Sequence, residues 1–366
     1  MTDAGAGVAI RNIGLKAWRR LQSAHKPLVR LARRNARAGE RREILREVAG
    51  LERELERIGS SRGPIIAGPW LAEVGYEVLY WVPFLRWFAD AYRIPRERFV
   101  AVSRGGVGSW YTPFAASYVE LFDLLGPTEL AALNDARRQA SEGGGRKQTT
   151  LSAQDDLLLR RIRRERRLDE GPTLHPSLMF RLFRHVWYGT LPFDFFWDRT
   201  RYVGPGGLAP PDVVLPADLP EAFSVVKFYS GAALPVADWT RERLRAMVAR
   251  EAARRPVIVL DTGVAVDEHE DYAFADVPNV TSAAAWMTPA TNLAVQSALV
   301  ARSELFLSTC GGLAWLAPFL GTPTVATYVD DRLLAPHLYV ARQALRRVEA
   351  APFLPLDLRA DRQVGL

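Results

Sequence analysis

The run Ser308-Thr309-Cys310-Gly311-Gly312 lies between a short apolar stretch, Leu305 to Leu307, and a helical pattern that opens at Leu313. A strand that ends in small residues and passes straight into a helix leaves main-chain N–H groups without intrahelical partners. Donors of that kind suit a diphosphate, and paired glycines let it come close to the backbone. Ser308 and Thr309 would add hydroxyl donors, while Cys310, Gly311 and Gly312 would offer main chain; a tight turn accounts for the two glycines equally well. Lys227, the last of four lysines, stands near the end of the strand-like FSVVKFYS, where positive charge would help a phosphate leave. Arg104 holds the matching place after the apolar run that closes at Val102. For each cation a surface ion pair is the competing account. Asp261, at the end of PVIVLD, is placed either to bond a ribose or to cap a helix. Cys310 has no base beside it and reads as a packing residue rather than a nucleophile. The cluster Asp267-Glu268-His269-Glu270-Asp271 has irregular ligand spacing in a polar loop, so it reads as solvated and no metal site is expected.

The elements that must position these residues alternate between strand and helix. Strands are expected at 64–68, 98–102, 223–228, 256–260, near 279–281, at 305–307 and at 324–328. Helices are expected from Val78 to Tyr92, interrupted or begun at Pro83, and over 113–125, 155–167, 240–251, 289–302 and 313–321. Thr288 is placed to cap the helix that starts at Pro289. Such alternation implies mostly parallel sheets covered by helices. Residues 202–222 carry five prolines and three glycines and read as a linker between two α/β halves. The expected organisation is a basic helical extension (1–62), a first Rossmann-like domain (63–205), a linker (206–222), a second Rossmann-like domain (223–350) and a tail (351–366). The aromatic stretch with Phe180, Phe183, Trp187, Tyr188, Phe193, Phe195, Phe196 and Trp197 fits a core or a surface that stacks on sugar C–H faces.

A chain of 366 residues with 48% hydrophobic and 24% charged residues is a folded protein of about two domains. No apolar run reaches the ~18 residues of a spanning helix. One cysteine excludes a disulfide scaffold. The opening MTDAGAGVAIRN lacks the order of a secretory signal, which suggests a cytoplasmic protein. Residues 1–60 carry 14 Lys/Arg against 7 Asp/Glu, and the rest of the chain is neutral with 34 of each. A basic arm on a neutral body reads as an attachment device and not as a nucleic-acid groove. Ile10, Ile13, Ala17 and Leu21 share one helical face among Arg11, Lys16, Arg19 and Arg20. That pattern fits an anionic membrane surface, and with it a peripheral place on the inner face, or packing on protein.

The stretch TPATNLAVQSALVARSELFLSTCGGLAWLAPFLGTPTVATYV, residues 288–329, resembles the donor-domain signature of GT-B type glycosyltransferases, and among them the heptosyltransferase-like kind. A capped helix, a strand, a glycine-containing turn, a helix ending in LG.P and a further strand occur there in the same order. At the turn, Cys310, Gly311 and Trp315 stand where heptosyltransferases carry an Asp, a Ser or Thr and a His. The resemblance implies two Rossmann-like domains facing a cleft, and a nucleotide-sugar donor as substrate with no cofactor and usually no metal. It also implies a glycan, lipid-linked or small-molecule acceptor in cell-surface polysaccharide or glycoconjugate synthesis. Retaining members place a glutamate motif in this region, whereas the chain has no acidic residue between Glu304 and Asp330, so inversion is expected. Inverting members carry their base in the loop after the first strand. The matching loop, GPWLAEVGYE, offers Glu73 and, as a second choice with stabilisation of the following helix as its alternative role, Glu77. Two other classes share the layout, a nucleotide-sugar epimerase and a non-catalytic binding protein. The epimerase would call for further acids and a histidine in the cleft, and the five histidines form no evident cluster there.

Overall fold

The computed structural model describes residues 39–140, 148–168, 170–208, 213–261, 270–332 and 334–363. The chain divides into two compact units, 1–54 and 55–366. The division falls eight residues before the expected boundary at 62, within a helix that covers 39–59. The membrane reading of the arm concerns residues that lie outside the described ones. Among the described residues no helix is long and apolar enough to cross a membrane.

The larger unit is α/β and contains two parallel sheets with helices between their strands. The first sheet has β1 (Ile65–Ala67), β2 (Phe99–Ser103), β3 (Ser117–Glu120) and β4 (Thr173–Leu174), in the order β3-β2-β1-β4. The second has β5 (Ser224–Lys227), β6 (Val257–Val259), β7 (Val280–Ser282), β8 (Leu305–Thr309), β9 (Thr324–Tyr328) and β10 (Phe353–Asp357), in the order β10-β9-β8-β5-β6-β7. Strands β1, β2, β5, β6 and β8 are almost wholly buried, as befits sheets covered on both faces. In the second sheet the chain leaves β5 toward β6 and returns on the other side as β8, paired Lys227 to Ser308. That reversal is a topological switch point, where the loops after β5 and β8 diverge and leave a crevice at the strand ends. The described residues between 202 and 222 form neither helix nor strand.

Several expectations are corrected. Residues 113–125 are not helical: Tyr118 and Val119, suited to a pleated surface, form edge strand β3 on β2, and a 3₁₀ turn follows at Leu121–Asp123. The tail supplies β10, which continues the second sheet beyond β9. The helix expected from Pro289 starts at Asn292, because Thr288 N–H donates to Thr291 Oγ1 and closes a turn first. Pro83 opens the helix Val82–Ala91, after the short turn Val74–Tyr76 and a π-helical turn, Glu77–Trp81. Phe180, Phe183 and Phe196 are fully buried, Phe180 stacking on Trp70 and Phe183 meeting Phe196 edge-on, which is the core reading for these three, whereas Tyr188 is exposed.

Candidate active site

Strand β8 ends at Thr309, whose hydroxyl accepts from the amide of Tyr229 and donates to the Tyr229 carbonyl, both at 2.9 Å. This staple extends the β5–β8 pairing by one step past the sheet. Cys310 N–H donates to Thr327, after which the chain turns through Gly311 (φ 136°) and Gly312 (φ 45°) into the helix Leu313–Leu316. Side chains rarely adopt these backbone angles, and a Cβ on Gly311 or Gly312 would lie 3.0 or 3.2 Å from the Tyr229 hydroxyl. Both glycines are therefore needed for the turn and for the approach of that hydroxyl. Among the described residues no group accepts a hydrogen bond from the amides of Gly311, Gly312 or Leu313. The turn borders a cavity of about 220 Å³, lined from the second half by Tyr229, Thr309, Cys310, Gly311, Gly312, Trp315 and His337. From the first half Glu73, Gly75, Tyr76 and Tyr80 face it. The halves meet closely here, since a Cβ on Gly75 would stand 2.9 Å from the Gly312 nitrogen.

Glu73 sits at the N-terminal boundary of Val74–Tyr76, half-buried, and is one of the residues that line the cavity. The loop that carries it is firmly braced. Gln148 accepts from Leu71 N–H (2.8 Å) and donates to the Pro69 carbonyl (2.9 Å), while Arg104 donates to the carbonyls of Trp70 (3.3 Å) and Ala72 (2.9 Å). Glu77 lies beneath this loop, fully buried and outside the cavity lining. Its Oε1 accepts from Ser103 Oγ at 2.5 Å and from the Tyr111 hydroxyl, and its Oε2 has no partner. Burial pushes its carboxyl up to about 7 despite the opposing pull of the nearby Arg104.

The expected cations do not line the cavity. Arg104 is buried and engaged with the loop carbonyls. Lys227 turns toward β6, where its Nζ donates to the Leu260 carbonyl at 2.8 Å and stands 3.6 Å from Asp271. Burial lowers its ammonium from the usual value, with Asp271 acting in the opposite sense. Ser308 is buried and its hydroxyl donates to the Lys227 carbonyl, because alternate residues of a strand face opposite sides. Asp261 accepts from Ser282 Oγ at 2.6 Å at the neighbouring strand end. Residues 267–269 of the acidic cluster lie outside the described residues, while Asp271 pairs with Lys227. Cys310 borders the cavity but is held as a thiol, its pKa pushed up to about 12 by burial.

Sequence reasoning missed His337. This residue occupies the first turn of the helix Ala335–Arg347, after β9, and reaches across to the first half. Its Nε2 lies 2.9 Å from the Tyr76 hydroxyl and its Nδ1 lies 2.5 Å from that of Tyr80. The available signal was its position in a loop-to-helix segment at the carboxyl edge of a parallel sheet. Its partners, more than 250 residues away, carried none.

No protein-family profile and no curated sequence matches the chain. Solved structures do show likeness. The glycotransferase of kitacinnamycin aligns over 81% of this chain and 87% of its own, at 13% identity and TM-score 0.32. The E. coli ADP-heptose lipopolysaccharide heptosyltransferase II aligns over 73% and 85%, at 12% identity and TM-score 0.32. A structure assigned as a UDP-N-acetylglucosamine 2-epimerase from Listeria monocytogenes aligns over 78% and 88%, at 10% identity and TM-score 0.32.

Proposed function

We propose that the protein is an inverting glycosyltransferase that moves a sugar from a nucleotide-sugar donor to a glycan, lipid-linked or small-molecule hydroxyl. The observation that carries this reading is the turn at Gly311–Leu313, whose amides have no acceptor among the described residues and border a cavity that Glu73 lines from the other half. In this reading the diphosphate of the donor lies on those amides, with the Tyr229 hydroxyl beside them, and the sugar projects toward Glu73. The Glu73 carboxylate takes the proton of the acceptor hydroxyl as its oxygen attacks the anomeric carbon. The bond from that carbon to the diphosphate oxygen breaks with inversion, and the charge that develops on the leaving nucleoside diphosphate falls on the main-chain donors. Lys227 and Arg104 brace the strand ends in this scheme and do not touch the phosphates. The basic arm would hold the enzyme at an anionic membrane surface where a lipid-linked acceptor resides.

A thermal-shift series with UDP, GDP, ADP, CMP, dTDP and their sugar conjugates tests the donor site, because a selective ligand raises apparent stability by mass action. One nucleotide is expected to stand out, and a flat response at millimolar concentration would remove the donor-site assignment. Deleting residues 2–38 is expected to abolish binding to anionic liposomes.

The presence of His337 in the cavity beside Glu73 favours one second reading, a nucleotide-sugar epimerase, which needs a cleft acid and a histidine. Incubation with the donor alone, followed by NMR of the anomeric and neighbouring protons, separates the two. A new epimer without acceptor supports epimerisation, while transfer or slow hydrolysis supports the transferase.

A further inference from the structure

The chain that carries Glu73 leaves the first sheet after β1, yet its next residues go on bonding as if the sheet continued. On one side, Trp70 N–H donates to the Val102 carbonyl of β2 at 2.9 Å. On the other, Gly68 N–H donates to the carbonyl of Leu174, the last residue of β4, at 3.1 Å. Strand β4 has two residues and goes no further. Gln148 takes its place: the side-chain amide accepts from Leu71 N–H and donates to the Pro69 carbonyl. Those groups flank Trp70, and one residue of a neighbouring parallel strand would pair with the same two. On the β2 side, past Val102, the Arg104 guanidinium holds the carbonyls of Trp70 and Ala72. Two side chains therefore extend the sheet where its strands end, and Glu73 is the next residue.

This clamp lies in the interior. Gln148 is 1% exposed, and Trp70, Leu71 and Ala72 are buried. Trp70 stacks on both Trp81 and Phe180, and Leu71 shares a core with Leu158, Leu159 and Ile162 of the helix Ala153–Glu165. Gln148 stands shortly before that helix, whose start is fixed by a reciprocal cap between Ser152 and Asp155. Without the Gln148 amide, Leu71 N–H and the Pro69 carbonyl would be buried and unpaired, a penalty relieved by moving the loop toward water. A general base works only within hydrogen-bond reach of its proton. Such a movement is therefore felt at Glu73 and not at the turn Gly311–Leu313, which belongs to the other half.

We propose that Gln148 is a positioning residue for proton transfer: it fixes the backbone ahead of Glu73 and thereby the place of that residue at the cavity. This rests on the reading of Glu73 as the base, and it adds the distant side chain on which the geometry of that base depends.

The test uses the full-length chain with Gln148→Met, which keeps the length of the side chain and removes both bonds, and Gln148→Asn, which is one methylene shorter and reaches at most one partner. Each is made alone and together with Glu73→Gln. Release of nucleoside diphosphate gives turnover, calorimetry gives donor affinity, and hydrogen exchange over residues 68–77 reads the order of the loop. In Gln148→Met turnover is expected to fall about 10- to 100-fold while donor affinity stays within about twofold, because misplacing a reacting group costs rate and not remote binding. Exchange over the loop should quicken about tenfold, while unchanged exchange in the helix Val82–Ala91 certifies the fold. Gln148→Asn should fall between, and it carries the comparison if Gln148→Met does not fold. Added to Glu73→Gln, the same substitution should cost less than about a further twofold, since the group it positions is gone, whereas a merely structural role costs the same in both backgrounds. Full turnover in Gln148→Met, equal losses with and without the Glu73 carboxylate, or unchanged exchange over the loop would each overturn the proposal while Glu73→Gln remains slow. If Glu73→Gln turns over as wild type does, or wild type turns over no donor, the chemistry assigned to Glu73 falls and the role of Gln148 falls with it.

Discussion

The loops after β2 and β8 occupy equivalent places at the carboxyl edges of the two sheets, yet they do opposite things with their polar groups. After β2 the backbone turns through Gly105 and Gly106, both at positive φ, and their amides donate to the carboxylate of Glu120 at 2.9 and 2.7 Å. Arg104 in the same loop holds the carbonyls of Trp70 and Ala72. That loop is internally satisfied and docks on the other half, with Gly105 O accepting from Ala294 N–H at 2.8 Å. After β8 the chain also turns through two glycines, but no carboxylate from the protein meets their amides among the described residues. The same local grammar therefore yields a carboxylate-filled turn in one half and a turn open to the cavity in the other. The difference lies in whether the fold brings its own carboxylate.

The sharpest way to break that comparison is through Glu73, the carboxylate that faces the open turn. Glu73→Gln is expected to lower turnover by about 10²- to 10⁴-fold, the usual contribution of a general base, while donor affinity stays within about threefold. Release of nucleoside diphosphate and calorimetric titration measure the two, and unchanged turnover would remove Glu73 from its role.

Glu77, the buried carboxyl beneath, provides a contrast in stability. Its ordinary value of 4.5 rises to about 7 in the fold, so the folded chain binds the proton more tightly than the unfolded one. The stabilisation is complete below about 4.5 and is lost as pH rises through about 7. Glu77→Gln keeps an acceptor for Ser103 and Tyr111 but cannot ionise. Between pH 5 and 8 the variant should gain about 2–3 kcal/mol relative to wild type, as read from urea unfolding. Parallel pH profiles would show that the carboxyl is charged in the fold.

At the open turn, Gly311→Ala forces a side chain into a φ of 136° with its Cβ 3.0 Å from the Tyr229 hydroxyl. The strain should cost about 1–3 kcal/mol of stability and weaken nucleotide binding about tenfold or more. Full affinity in this variant would place the diphosphate elsewhere. The smallest effect on binding is expected at Lys227. Lys227→Met removes the cation 3.6 Å from Asp271 and should lower the melting temperature by several degrees, yet shift nucleoside diphosphate affinity less than about threefold. A loss of tenfold or more would restore the lysine to the phosphate site.

Much of this arrangement was legible in the residues themselves. Apolar runs bounded by glycine and proline located β1, β2, β5, β6, β8 and β9, and the double glycine before Leu313 marked the turn at the cavity. These features are local, set by φ/ψ preference and by the burial of short strands. Edge strand β3 and terminal strand β10 escaped because sheet edges are only half covered and their sequences carry a weaker pattern. The place of Glu73 at the cavity was legible because its loop follows a strand, whereas the direction taken by Lys227 was not. The rotamer of a long side chain at a strand end depends on which carbonyl or carboxylate lies within reach, here Leu260 and Asp271. His337 shows the same limit most plainly. Its helix was within reach of pattern reading, but its pairing with Tyr76 and Tyr80 exists only because the packing of two separately patterned halves brings distant residues within hydrogen-bond distance. The sequence by itself determined the alternation of elements and the turn that exposes main-chain donors. Tertiary packing alone decided which charged groups are consumed within the fold and which side chains remain at the cavity, because hydrogen bonds between distant residues depend on packing and not on local preference.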